Sequence, residues 1–137
     1  MKMYLSLFAL LALAGCGEKA EEKSGSAQTA AAAAPETAES RGRKAFNECA
    51  VCHSVREGDS HRVGPNLYAV VGTPAGAREG FAYSKAMKES GVVWDDQALD
   101  AFMKNPRDFI PKNRMAYVGQ RDDAKRADII AYLKTMQ

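Results

Sequence analysis

Two cysteines three positions apart, followed at once by a histidine, make Asn47-Glu48-Cys49-Ala50-Val51-Cys52-His53 the strongest constraint in this 137-residue chain. With three cysteines and two histidines in all, most of the chain's soft-ligand chemistry is gathered in this one stretch. Whatever occupies the motif is held by a few consecutive residues, and the rest of the fold has to be built round it.

Three chemistries compete for such a motif. A disulfide between Cys49 and Cys52 is feasible in an exported protein, but it leaves His53 without a purpose. A structural zinc ion takes four ligands. Beyond the motif, residues 40–137 offer only His61 as a further nitrogen or sulfur ligand of that kind. The third chemistry is covalent attachment of haem, for which C-x-x-C-H is the signature. Both thiols then add across the haem vinyl groups, on the side where the adjacent imidazole binds iron. The candidates for a sixth iron ligand are His61, Met87, Met103, Met115 and Met136. Met87, Met103 and Met136 lie in helix-like stretches, where methionine is ordinary core filler. Met115 ends a stretch, residues 105–115, with two prolines and no helical period. A buried loop of that kind is costly unless something in the interior holds it, and an iron–thioether bond would do so.

The chain divides into three parts. Residues 3–15 are a 13-residue apolar run after Lys2. That is too short to span a bilayer, which takes roughly 17–25 residues, and it fits the core of a secretory signal. It ends in Leu13-Ala14-Gly15-Cys16, which resembles a bacterial lipobox and marks Cys16 for lipidation. Residues 16–39 follow as a flexible tether without aromatic or large aliphatic residues, too poor in apolar surface to offset its ordering entropy. Residues 40–137 form one domain, with sixteen Lys and Arg against twelve Asp and Glu. The whole chain carries only +2, which argues against nucleic-acid binding. No glycine-rich phosphate loop and no Ser/His/Asp set suggests an enzyme.

Pattern alone predicts an all-α domain. Ser40 is placed to cap a helix through Phe46 and Cys49. A short helix covers residues 84–89 and ends at Gly91. Asp95 caps another, with Trp94 and Leu99 spaced as a hydrophobic staple, and Pro106 stops it. Asp122 or Asp123 opens the last helix, whose apolar stripe is Ile129, Ile130, Leu133 and Met136. Residues 66–71 fit a short helix or a turn.

From residue 41 onward the sequence resembles class I cytochrome c, nearest its mitochondrial-type branch. The resemblance rests on Gly42-Arg43-Lys44-Ala45-Phe46 before the C-x-x-C-H motif, His61 three residues before Gly64-Pro65-Asn66-Leu67, and Gly80-Phe81-Ala82-Tyr83. Val93-Trp94, Asn105-Pro106 through Met115, and Arg126-Ala127-Asp128-Ile129-Ile130-Ala131-Tyr132-Leu133 then follow in order. It implies helices wrapped round one covalent haem c, with Cys49 and Cys52 as its thioethers and His53 and Met115 as axial ligands. It further implies that the Pro65 carbonyl orients His53, that Tyr83 and Trp94 hydrogen-bond a haem propionate, and that His61 ties two loops together. Gly42, Phe46 and Tyr132 match the crossing of the first and last helices. Three positions depart from the pattern: Thr73 stands for a propionate-pairing arginine, Phe102 for a tyrosine near the methionine sulfur, and Asn113 for a threonine.

The expected function is one-electron transfer without catalysis, by a monomer held in the periplasm through lipidated Cys16. The family implies a quinol-oxidising cytochrome bc complex as donor and a haem–copper oxidase as acceptor. Arg62, Lys85, Arg107, Lys112, Arg114 and Arg121 would ring the haem edge for docking, with Glu48 and Asp108 as acidic interruptions. The alternative is a ligand-binding or peroxidase-like haem protein in which the departures at Phe102 and Asn113 loosen Met115.

Overall fold

A computed structural model describes residues 35–137. The apolar run 3–15, Cys16 and most of the tether lie outside the described residues, so the signal and lipidation readings do too. Six helices follow one another: α1 Ala38–Ala45, α2 Asn47–Ala50, α3 Lys85–Lys88, α4 Asp96–Lys104, α5 Pro106–Phe109 and α6 Asp123–Lys134. Among the described residues there is no strand, only one isolated antiparallel bridge between Pro74 and Val93. Nor is any described helix long and apolar enough to cross a membrane.

The first helix starts earlier than its sequence suggests. Thr37, not Ser40, is the N-cap, and its hydroxyl accepts the Ser40 N–H at 3.2 Å. Ser40 lies inside the first turn and donates its own hydroxyl to Glu36. The helical path then breaks at Phe46 and resumes as α2, which delivers Cys49.

Asp95 and Asp122 cap α4 and α6 as expected, accepting from Ala98 N and Lys125 N at 2.8 and 3.1 Å. Trp94 and Leu99 are both buried at the start of α4. Ser84 caps α3, which ends short of the left-handed Gly91. Residues 66–71 form turns rather than a helix, with Ala69 at φ +49°.

Two further expectations fail. Pro106 ends α4 but also opens α5, because a proline at the first helical position loses no hydrogen bond. The stretch before Met115 is therefore partly helical. Met136 lies beyond the end of α6 and outside its buried stripe, half-buried, with its carbonyl accepting the Ala69 N–H at 2.6 Å.

α1 crosses α6 at Gly42. A Cβ there would fall 1.9 Å from the Asp128 carbonyl oxygen and 2.8 Å from Tyr132 Cβ, so no larger residue permits this approach. Phe46 and Tyr132 pack at 5.5 Å beside the crossing. The core continues through Ile129, Ile130 and Leu133 to Leu99, Phe102 and Met103 of α4. Cys49, Leu67, Tyr83 and Met115 pack against this cluster yet stay only partly buried.

Candidate haem site

The attachment motif leaves α2 through a turn in which Cys52 N and His53 N both bond the Cys49 carbonyl, at 3.0 and 2.9 Å. Neither Cys49 nor Cys52 is in a disulfide. Burial, then Glu48, then Cys52 push the Cys49 thiol up to about 11. Among the described residues no group of three His, Cys, Asp or Glu side chains is placed to hold a metal ion. Two free thiols beside an imidazole are what thioether formation requires.

His53 is fixed from two sides. Its Nδ1 lies 2.7 Å from the Pro65 carbonyl oxygen. A carbonyl only accepts, so Nδ1 carries the proton and Nε2 keeps the lone pair needed to bind iron. Gly64 forms the other wall: a Cβ there would sit 2.3 Å from His53 Cε1. Burial pushes the imidazole below its ordinary value, partly offset by the Pro65 hydrogen bond. This cradle and the adjacent thiols fit a haem bound through Cys49, Cys52 and His53.

His61 is committed elsewhere. Its Nε2 lies 2.7 Å from the Glu79 carbonyl oxygen, and its Nδ1 accepts the Asn66 N–H at 3.1 Å. With both ring nitrogens used, it joins two loops and is not available to iron.

Met115 is half-buried, and Asn113 holds its backbone. Asn113 Oδ1 accepts the Met115 N–H at 2.8 Å, while Nδ2 donates to the carbonyls of Pro106 and Ile110 at 2.7 and 2.8 Å. One amide thus joins the end of α5 to Met115. The sequence marks Asn113 only as a departure; its positive role was missed because it depends on where α5 ends. Phe102 packs on Trp94 at 5.0 Å and Phe109 at 6.3 Å, an apolar setting in which a hydroxyl is not needed for packing. Thr73 Oγ1 closes a local turn onto the Val70 carbonyl at 2.7 Å. Tyr83 is half-buried against Phe81 at 4.8 Å, and burial raises its hydroxyl above the ordinary value. Trp94 is buried at 8% exposure.

The six basic residues expected at the haem edge are all exposed. Arg62 is tied to the motif itself, with Nη1 2.5 Å from the Ala50 carbonyl oxygen and 3.5 Å from that of His53. Lys85 pairs with Glu89 at 3.8 Å. Arg107, Lys112, Arg114 and Arg121 make no ion pair among the described residues.

A small helical domain with two free thiols, a pre-oriented imidazole and a braced methionine segment defines a covalent haem protein. The cytochrome c family profile matches residues 39–137, and the chain belongs to the cytochrome c family. It is 45% identical to cytochrome c of Theileria parva over 101 residues, covering 73% of this chain and 87% of that one. To cytochrome c2 of Rhodomicrobium vannielii it is 43% identical over 95 residues, covering 69% and 76%. Among solved structures, cytochrome cH from Methylobacterium extorquens superposes with a TM-score of 0.67 at 41% identity, covering 71% of this chain and 97% of that one. The fold is that of class I cytochrome c, the cofactor is one covalent haem c, and the protein is a monohaem electron carrier.

Proposed function

We propose that this cytochrome carries single electrons in the bacterial periplasm, from a quinol-oxidising cytochrome bc complex to a haem–copper oxidase, while anchored through lipidated Cys16. Haem iron supplies the one-electron chemistry, and His/Met ligation raises its potential. Cys49 and Cys52 would hold the haem, His53 and Met115 would ligate its iron, and Tyr83 and Trp94 would hydrogen-bond a propionate. The basic residues, with Arg107 and Arg114 foremost, steer an acidic partner.

The hold of Asn113 on Met115 carries the reading. A carrier needs both axial positions filled and little rearrangement between oxidation states. A segment braced by three hydrogen bonds from one side chain suits that need better than a ligand that must leave for a substrate. The deciding experiment is Met115→Ala in the holoprotein. It should abolish the weak near-red band expected of iron–thioether ligation, lower the potential, and let azide bind. Retention of the band and the potential would remove Met115 from the iron. For the anchor, Cys16→Ser should release the protein from the detergent phase, since stable attachment takes more than one chain.

A further inference from the structure

The segment that follows Met115 has little to hold it. Residues 114–119 make no backbone–backbone hydrogen bond among the described residues. They run with exposure alternating residue by residue, so Met115 and Tyr117 share the inward side while Arg114, Ala116 and Val118 face solvent. Tyr117 Oη donates to Glu48 Oε2 at 3.1 Å. Glu48 immediately precedes Cys49, so this bond runs from the methionine segment to the haem-attachment segment.

Gln120 supplies a second contact from a fixed position. Its N–H bonds the Met103 carbonyl at 2.8 Å, its carbonyl accepts Arg126 Nη1 at 2.9 Å, and its Oε1 accepts the Asp122 N–H at 3.0 Å. With Oε1 so occupied, Nε2 points to Glu48, 3.3 Å from Oε2 and 3.4 Å from Oε1. Arg126, 2% exposed, braces this corner through Asp100 and Asp123. Glu48 therefore meets one donor anchored to α4 and α6 and one carried on the Met115 segment.

We propose that Glu48, Tyr117 and Gln120 form a clasp that closes the Met115 segment onto the haem-attachment segment, and that the clasp sets how readily Met115 yields its place to an outside ligand. This rests on Met115 being the sixth ligand. The clasp acts on local opening, the low-energy motion of a segment with few backbone bonds, and not on global unfolding. A phenol is protonated at neutral pH, so Tyr117 is the donor to the Glu48 carboxylate in this bond. Tyr117 and Gln120 are positioning residues, and Glu48 is the point to which they attach.

The test is an imidazole titration of the ferric holoprotein, run beside far-ultraviolet denaturant unfolding. Tyr117→Phe keeps the ring and removes the bond. Its apparent imidazole affinity should rise about three- to tenfold, the range for one partly exposed hydrogen bond, with the unfolding midpoint little changed. Glu48→Ala should do the same. The Tyr117→Phe/Glu48→Ala double variant should fall short of the sum, because the partners act through one contact. Glu48→Gln keeps an acceptor for Tyr117 and should stay within about twofold of the parent on the same scale. Single variants within twofold of the parent, fully additive effects, or a loss of global stability equal to the gain in affinity would each overturn the clasp. Met115→Ala separates the two ideas. If it keeps the thioether band, the ligation reading fails, whatever the clasp variants do. If it loses the band while Tyr117→Phe binds imidazole like the parent, the clasp alone fails.

Discussion

Gly64 stands against the imidazole of His53 so closely that a Cβ there would lie 2.3 Å from Cε1 and 2.7 Å from each ring nitrogen. The Pro65 carbonyl bonds the same ring from the next residue, at 2.7 Å from Nδ1. Two consecutive residues therefore determine where the ring lies and which nitrogen is left to bind iron.

Gly64→Ala should accordingly injure the site out of proportion to one methyl group. The ring has to swing aside, and that breaks its bond to Pro65. Overpacking of this kind costs about 1–3 kcal/mol. Thermal unfolding of the holoprotein, together with the haem content of purified material, would show it. A variant with parental stability, haem content and potential would mean that the ring has room to move.

The pH dependence of stability should carry the signature of Asp128. Arg41 donates to it from Nε at 2.8 Å and Nη2 at 2.7 Å. This pair holds the carboxyl below its ordinary 3.8. A carboxyl with a lowered folded value leaves the unfolded chain the stronger proton binder, so its contribution grows with pH. It is complete above the ordinary value and fades as pH falls through the folded one. Asp128→Asn should therefore be less stable than the parent at neutral pH. The gap should stay flat down to about pH 5 and close below 3.8. A gap that persists unchanged into strong acid would show that the ion pair is not its source.

Much of the fold was legible because it depends on short-range signals. Asp95 and Asp122 cap helices where their side chains can reach amides three residues on, and spacing is enough to see that. Thr37 was missed because Ser40 is an equally good cap by residue type, and spacing does not choose between them. α5 was missed because Pro106 reads as a stop, although a proline at N1 serves as well to begin a helix. Cys49, Cys52 and His53 were plain from adjacency. Asn113 and Arg126 were not, since each works by joining segments whose approach is tertiary. The same holds for Glu48, one of two acids in a basic surface, whose role depends on Tyr117 and Gln120 lying beside it. Asp108, the other acid in that surface, accepts a side-chain bond from Asn105 at 2.5 Å.

The basic surface itself gives the last prediction. Of its six members, Arg62 is engaged with motif carbonyls and Lys85 with Glu89, which leaves Arg107, Lys112, Arg114 and Arg121 without ion pairs among the described residues. Any one exposed charge does little. Four like charges on segments flanking Met115 would produce a field able to steer the acidic partner proposed above. Steering acts through solvent and is screened over roughly 8–10 Å at physiological salt, so electron transfer to the proposed oxidase should slow as salt rises, through slower association. Reversing Arg107 and Arg114 to Glu should slow it roughly tenfold at low salt, the lower end of what steering contributes, with the potential nearly unchanged. Membrane confinement raises effective concentration and masks weak docking, so the measurement needs a soluble form. That form should begin at residue 35 and not at residue 40, because Thr37 caps α1 and Glu36 bonds Ser40 and Lys44. A rate indifferent both to salt and to the two reversals would reduce these arginines to solvated surface.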